Sequence, residues 1–175
     1  MAEKKIKAVF SRETVSSEDK EAKDLYGKSR FGEIHDEKII YPLAEAKYLF
    51  DKGKMTILDN KKKKISENVF LARAMKVEPN FNIRYAVFRD LRDRGYIVKT
   101  ALKFGADFRV YDRGVKPGDD HAKWVVFPVF EGETLTWYEW AAKNRVAHST
   151  RKKLLLAIVD AEFDVSYWEA NWIKP

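Results

Sequence analysis

The chain of 175 residues contains no cysteine, and its only histidines are His35, His121 and His148. Without cysteine, disulfide bonds and thiolate-bound metals are excluded. A zinc site needs several nitrogen, sulfur or carboxylate ligands held close together, and the three histidines lie far apart in the sequence. We therefore expect no metal and no other cofactor.

Long apolar runs are also missing. No stretch approaches the roughly 18 apolar residues that a membrane-spanning helix requires. The lysine-rich first ten residues, MAEKKIKAVF, lack the apolar segment of a secretion signal. We therefore expect a cytoplasmic protein that does not associate with membranes.

Charge, by contrast, is abundant and mostly positive. Lysine and arginine total 34 against 27 acidic residues, which gives a net charge of +7. Such an excess is typical of proteins that bind a polyanion such as RNA, although many basic proteins bind no nucleic acid. The apolar fraction of 45% predicts a folded chain. We expect a small N-terminal α+β domain over 1–79 and a second domain over 80–175.

The N-terminal half has a mixed pattern. Alternating apolar residues over 6–10 predict a strand, whereas the polar, glycine-interrupted segment 16–38 predicts a loop with at most one helical turn. Helical spacing after Pro42 predicts one helix, and a second is predicted over 66–76. The run 60–64 contains four consecutive lysines and predicts an exposed turn, with phosphate binding as the alternative.

The C-terminal half alternates helices with segments of period two. A helix over 82–94 precedes strands in YIVKTAL, DFRVYD and WVVFPVF. A helix over about 134–144 then precedes strands in LLLAIVD and VSYWEANW. This order, an α/β arrangement, predicts a mixed sheet with flanking helices.

Three side chains in this half could together cleave RNA without a metal: Tyr111, His121 and Lys152. The RNA 2′-hydroxyl can itself attack the phosphate, so a protein need supply only a base, an acid and a cation. A free phenol ionises near pH ~10, so Tyr111 needs a neighbouring cation such as Arg113 or Lys152 to act as a base. Acids in the preceding loop favour a protonated His121. Without the rest of the pattern, Tyr111 could be an aromatic residue of the core or its rim, and His121 a surface histidine.

Three longer segments surround these residues: RGYIVKT, FGADFRVY and RVAHSTRKKLLLAIVD. Ten positions separate Tyr111 from His121, and thirty-one separate His121 from Lys152. Together they closely resemble the catalytic subunit of the archaeal tRNA-splicing endonucleases. The resemblance runs from Asn82 to Pro175, and YPLAEAKYLFDKGKM is the main match before it.

The resemblance implies a restriction-endonuclease-like fold for the C-terminal domain. It also implies that Tyr111 is the general base, His121 the general acid and Lys152 the stabilising cation. Lys153 is adjacent to Lys152, and on a strand the two would point to opposite faces. The implied substrate is precursor tRNA, cut at bulge-helix-bulge junctions to leave 2′,3′-cyclic phosphate and 5′-hydroxyl ends.

Further residues match RNA-binding positions of the family. Arg145 matches an arginine that stacks on a bulged base, and Tyr167 or Trp168 offers the second stacking group. The segment GKSRFGEIHDEK resembles an added loop, in which Lys28 and Arg30 are candidate RNA contacts or incidental surface cations.

Such a loop implies that the chain pairs with a homologous structural subunit in a two-plus-two heterotetramer, with a homotetramer as the alternative. Asp119 and Asp120 lie in a loop that in the family docks on a neighbouring subunit. The aromatic final strand, VSYWEANW, predicts a dimerisation edge.

Other functions stay open at this point. The chain could be a non-catalytic subunit of the same fold. It could be a metal-dependent nuclease that uses Asp120 and Lys123, although these are spaced one residue too far apart for the usual carboxylate-and-lysine pattern. A basic interaction protein with no RNA role is the third alternative.

Overall fold

The computed structural model of the chain describes residues 4–118 and 120–173. Two compact units divide the chain, one up to Asn82 and the other from Ile83. Each unit contains a five-stranded sheet with both parallel and antiparallel pairs. The predicted combination of helices with mixed sheets is therefore confirmed.

The described residues of the N-terminal unit form five strands and three helices. In chain order they are β1 (Ile6–Ser11), β2 (Thr14–Ser17), α1 (Lys20–Ser29), β3 (Glu33–His35), β4 (Lys38–Tyr41), α2 (Leu43–Asp51), β5 (Met55–Leu58) and α3 (Glu67–Val77). The strand order is β3-β4-β2-β1-β5, and β1 pairs with β5 in parallel. Alternate residues of β1 are buried, as expected for a strand with one face on the core. The predicted first strand and the helices α2 and α3 are thus confirmed.

The prediction of a loop over 16–38 is wrong. Helix α1 and strand β3 lie in this segment, and β4 begins at its last residue. The sequence signal is weak because Ala22 is the only fully buried residue of α1, among mostly charged neighbours. Gly32 connects α1 to the β3–β4 hairpin with a φ of 78°, and a Cβ there would lie 2.3 Å from the Ile39 side chain. Glycine is therefore required at this turn.

The described residues of the C-terminal unit form two α-helices, five strands and a short 3-10 helix at Leu102–Phe104. After α4 (Phe81–Asp93), which begins at the junction of the units, come β6 (Ile97–Thr100), β7 (Phe108–Tyr111), β8 (Trp124–Phe130), α5 (Trp137–Ser149), β9 (Lys153–Val159) and β10 (Val165–Ala170). The strand order is β10-β9-β8-β7-β6; β8 and β9 are parallel and the other pairs antiparallel. This is the predicted mixed sheet. Among the described residues, no helix is long and apolar enough to cross a bilayer.

Helix α5 begins and ends later than the predicted range of 134–144. Thr136 and Glu139 form a capping box, in which each side chain accepts a hydrogen bond from the backbone N–H of the other. This motif fixes the start of the helix. Ala147 packs into the core of the unit, so the helix continues past 144. As a result, Arg145 lies on the helix and Lys152 follows closely after its end.

Candidate active site

The C-terminal unit brings Tyr111, His121 and Lys152 to the wall of one open cavity of about 360 Å³. The cavity lies where the end of β7, the loop that follows it and the turn between α5 and β9 meet. Its other lining residues are Phe104, Arg109, Gly118, Asp120 and Ala122. A phenol, an imidazole and an ammonium group are therefore available to one bound phosphate.

Tyr111 is the last residue of β7 and is 5% exposed. It is followed by a turn in which the Val115 N–H donates to the Asp112 carbonyl oxygen. Arg109, two residues earlier on the same strand, faces the same side, and its guanidinium lies 6.0 Å from the centre of the Tyr111 ring. Arg113, one of the two cations expected beside Tyr111, has its guanidinium 4.9 Å from the centre of the Tyr96 ring. Arg109 is thus a cation beside the Tyr111 ring that the sequence did not lead us to expect.

His121 lies on the loop between β7 and β8, with an exposed side chain. The Asp120 carboxylate accepts a hydrogen bond of 2.6 Å from the backbone N–H of His121. That contact orients the backbone next to the histidine and directs one carboxylate oxygen to the main chain. Asp119, the other acid predicted to matter here, lies outside the described residues.

Lys152 lies in the turn between α5 and β9, one residue before the strand, so the expectation of two lysines on one strand is wrong. Arg151 has a φ of 55°, and the Lys152 backbone N–H donates to the Ala147 carbonyl oxygen. The Lys152 Nζ atom donates to the Thr150 carbonyl oxygen at 2.9 Å. Burial lowers the pKa of Lys152, and the positive charge of Arg109 lowers it further.

Lys153, by contrast, is directed away from the cavity. It is the first residue of β9, and its Nζ atom pairs with Glu169 Oε1 on β10 at 2.7 Å. Of the two neighbouring lysines, only Lys152 lines the cavity. Lys152, which its spacing to His121 selects, is therefore the lysine that lines the cavity.

Arg109 is the cavity residue that the sequence interpretation missed. Its Nε atom is buried and has no hydrogen-bond partner within the described ranges. Its guanidinium also lies 5.9 Å from the Phe104 ring, and the Lys152 Nζ lies 5.8 Å from the same ring. The sequence contains the pattern that predicts this position, because strand alternation in FRVY puts Arg109 and Tyr111 on the same face of the sheet.

The predicted base-stacking residues lie elsewhere in the C-terminal unit. Arg145 is exposed on α5 and lines a separate groove of about 600 Å³ together with His148 and Trp172. The Tyr167 hydroxyl donates to Asp90 at 2.7 Å, so this side chain is held against α4. Trp168 is 66% exposed, and of the two aromatic candidates it is the one with an open ring face.

Lys28 and Arg30 lie in the N-terminal unit. Lys28 is exposed in the last turn of α1, where it lines a cleft with several other lysines. Arg30 is half-buried, ends α1 with a φ of 56°, and stacks its guanidinium 5.3 Å from the centre of the Tyr26 ring. The two cations are thus part of an ordered helix end rather than of a loop.

The rival metal-nuclease pattern is not assembled in the described structure. Lys123 pairs with Asp112 at 2.9 Å and does not line the cavity, whereas Asp120 does. Within 4–118 and 120–173, no three histidine or acidic side chains come close enough together to hold a metal ion.

Comparison with known proteins assigns both halves of the chain. Residues 81–167 match the family described as tRNA intron endonuclease, catalytic C-terminal domain, and residues 6–71 match its N-terminal domain. The tRNA-splicing endonuclease of Nanoarchaeum equitans is 50% identical over 140 residues, which cover 77% of this chain and 89% of that protein. The tRNA-splicing endonuclease of Thermococcus onnurineus is 42% identical over 160 residues, which cover 91% of this chain and 91% of that protein. That of Pyrococcus furiosus is 38% identical over 170 residues, which cover 97% of each of the two proteins. The chain therefore belongs to the tRNA intron endonuclease family.

Proposed function

We propose that this chain is a catalytic subunit of a tRNA-splicing endonuclease, which excises introns from precursor tRNA. The observation that carries the proposal is the position of Tyr111, His121 and Lys152 around one cavity, in the part of the chain that matches the family's catalytic C-terminal domain. The Thermococcus and Pyrococcus relatives named above are tRNA-splicing endonucleases, and this chain aligns with them along nearly their whole length. This similarity supports the same substrate.

The reaction needs two proton transfers at one phosphate. Tyr111 accepts the proton of the 2′-hydroxyl as its oxygen bonds to phosphorus. His121 gives a proton to the 5′-oxygen as the bond between that oxygen and phosphorus breaks. The products are a 2′,3′-cyclic phosphate and a 5′-hydroxyl, and RNA supplies the nucleophile.

Lys152 and Arg109 supply positive charge to the same phosphate. Negative charge increases on the non-bridging oxygens in the transition state, and cations already fixed in position stabilise it without reorganisation. Both side chains line the cavity, and the charge of one lowers the pKa of the other. A phosphate bound between them would contact both cations.

The substrate feature is a bulge-helix-bulge junction. Bulged nucleotides are unstacked, so their faces are open to stacking and their 2′-hydroxyl can be aligned for in-line attack. Of the stacking residues that the resemblance implies, Arg145 and Trp168 are exposed and offer such surfaces. Arg145 lines a groove other than the catalytic cavity. It therefore stacks on a nucleotide other than the one being cut, such as a bulged nucleotide whose phosphate is held by a neighbouring subunit.

Cleavage is expected to continue in excess chelator, because the three groups need no metal. Single-turnover rates on precursor tRNA, measured with and without EDTA, check this. Lys123→Gln is the matched variant: a metal site with Asp120 would need this lysine, whereas the proposed reaction does not. If EDTA abolished cleavage, and the reaction without EDTA left a 5′-phosphate, the metal-dependent alternative would replace the proposal.

The assembly is proposed to contain two copies of this chain and two of a homologous structural subunit. Strand β10 ends the sheet order and carries the exposed Trp168, so it is suited to pairing with another subunit. The stacking group Arg145 lies apart from the catalytic cavity, so one subunit does not surround a bulge by itself.

The chain purified alone is therefore expected to cleave poorly, and addition of the partner subunit should restore the rate. Size-exclusion chromatography with an activity assay on each fraction measures both properties together. Full activity in a fraction that contains only a tetramer of this chain would contradict the two-plus-two assembly and support the homotetramer.

A further inference from the structure

Residues Lys61–Lys64 form a tight turn after β5, which we name the lysine turn. All four side chains are exposed. They carry more than half of the net charge of +7 in four consecutive residues. Such a concentration of like charge is unfavourable in an isolated protein, because neighbouring ammonium groups repel one another.

The backbone of the lysine turn is fixed by a single acid that precedes it. Asp59 Oδ1 accepts hydrogen bonds from the N–H groups of Lys61 and Lys63 at 2.8 and 2.9 Å. The Asp59 N–H donates to the Lys63 carbonyl oxygen, and the Ile65 N–H donates to the Ile57 carbonyl oxygen. The nearest carboxylate is therefore used to shape the turn.

Lys62 occupies a backbone position that usually favours glycine or asparagine. Its φ is 61°, in the left-handed region where a side chain is disfavoured. A simple connection from β5 to α3 would be more stable with asparagine or glycine at this place. A lysine there adds strain as well as charge, and neither contributes to folding.

The four ammonium groups differ in their pairing from other exposed lysines of the same unit. Other lysines form ion pairs, such as Lys4 with Glu21 and Lys38 with Glu18. In the described part of the chain, none of the four lysines of the turn forms an ion pair. They are therefore free to bind an external anion.

We infer that the lysine turn is a second RNA-binding site, which holds backbone phosphates of the substrate tRNA independently of the catalytic cavity. This inference rests on the proposed function for its ligand. Four flexible ammonium groups attract phosphate as point charges and cannot read bases. The turn therefore increases affinity for tRNA of any sequence, and the catalytic unit selects the junction.

The test is RNA affinity measured against salt, with full-length protein in its active assembly. In one variant all four lysines of the turn are changed to glutamine, and Asp59 is kept. The matched control changes four other exposed lysines of the same unit, outside the cleft that Lys28 lines, to glutamine: Lys7, Lys20, Lys23 and Lys76. Both variants lose the same net charge. A third variant with four arginines in the turn keeps the charge.

Each lysine–phosphate contact contributes about −0.9 to the slope of log affinity against log salt for a duplex. The glutamine turn variant should therefore lower the magnitude of the slope by about 2 to 3 and weaken binding at least about tenfold near ~0.1 M salt. Mature tRNA and intron-containing precursor should lose affinity equally. The arginine variant should bind like the unmodified protein, and the control should keep its slope.

Equal losses in the turn variant and the control would overturn the inference, because the effect would then come from net charge. Unchanged affinity would overturn it too, and a changed assembly with unchanged RNA binding would assign the turn to an acidic protein partner. Cleavage at saturating protein should stay within about threefold of the unmodified rate. If the unmodified protein binds tRNA but cuts no precursor, the proposed function fails while the salt measurement still judges the turn.

Discussion

Replacing His121 with alanine should lower single-turnover cleavage of precursor tRNA by about 10² to 10⁴-fold, the usual effect of losing one proton-transfer group. The dissociation constant for RNA should change little, because His121 is one exposed side chain on a loop. Its proton is needed only when the 5′-oxygen leaves. Rates at saturating protein, with binding measured separately, distinguish the chemical step from affinity.

His35→Ala is the control for this prediction. His35 is exposed on β3 of the N-terminal unit and lies 3.9 Å from Glu33, so its loss should leave both rate and affinity unchanged. An unmodified rate in the His121 variant would remove this residue from the mechanism. A loss of RNA binding that accounts for the whole effect would reduce its role to contact with the substrate.

The second large effect is expected from Lys152→Ala, which should lower the same rate by about 10² to 10³-fold, as for loss of one preorganised group that stabilises transition-state charge. Lys152 lines the cavity and is half-buried, so water replaces its charge poorly. The affinity for RNA should fall less than the rate, because the charge it stabilises is largest in the transition state.

The neighbouring Lys153 provides a matched control of the same residue type. Lys153→Ala removes an ion pair with Glu169 that is partly exposed, so it should cost at most about 1 kcal/mol of unfolding free energy. Its cleavage rate should stay close to that of the unmodified protein. Equal losses in the two variants, or a larger loss for Lys153, would show that the assignment is wrong by one residue.

The C-terminal sheet could be predicted from the sequence because its strands alternate or are continuously apolar and are separated by clear turns. The segment 16–38 could not, since α1 buries a single alanine and β3 is exposed at all three positions. Its structure depends on tertiary contacts, such as the close approach of Gly32 to Ile39. Local sequence pattern cannot report such contacts.

The sequence predicts only some features of the candidate site, because the others depend on tertiary packing. Tyr111, His121 and Lys152 come from three separate elements, and spacing within a known family, rather than periodicity, brought them together. Arg109 could have been found from strand alternation next to Tyr111. The position of Lys152 in a turn could not, because it depends on the extension of α5 by the packing of its last residues on the sheet.

The central claim is that the substrate's own 2′-hydroxyl is the nucleophile. The most direct measurement is cleavage, in EDTA, of a precursor tRNA with one 2′-deoxynucleotide immediately 5′ to the scissile bond of one intron junction. The account predicts no cleavage at that junction, whereas the all-ribose junction of the same molecule is cut at the normal rate and leaves a 2′,3′-cyclic phosphate. Cleavage of both junctions at equal rates would contradict it.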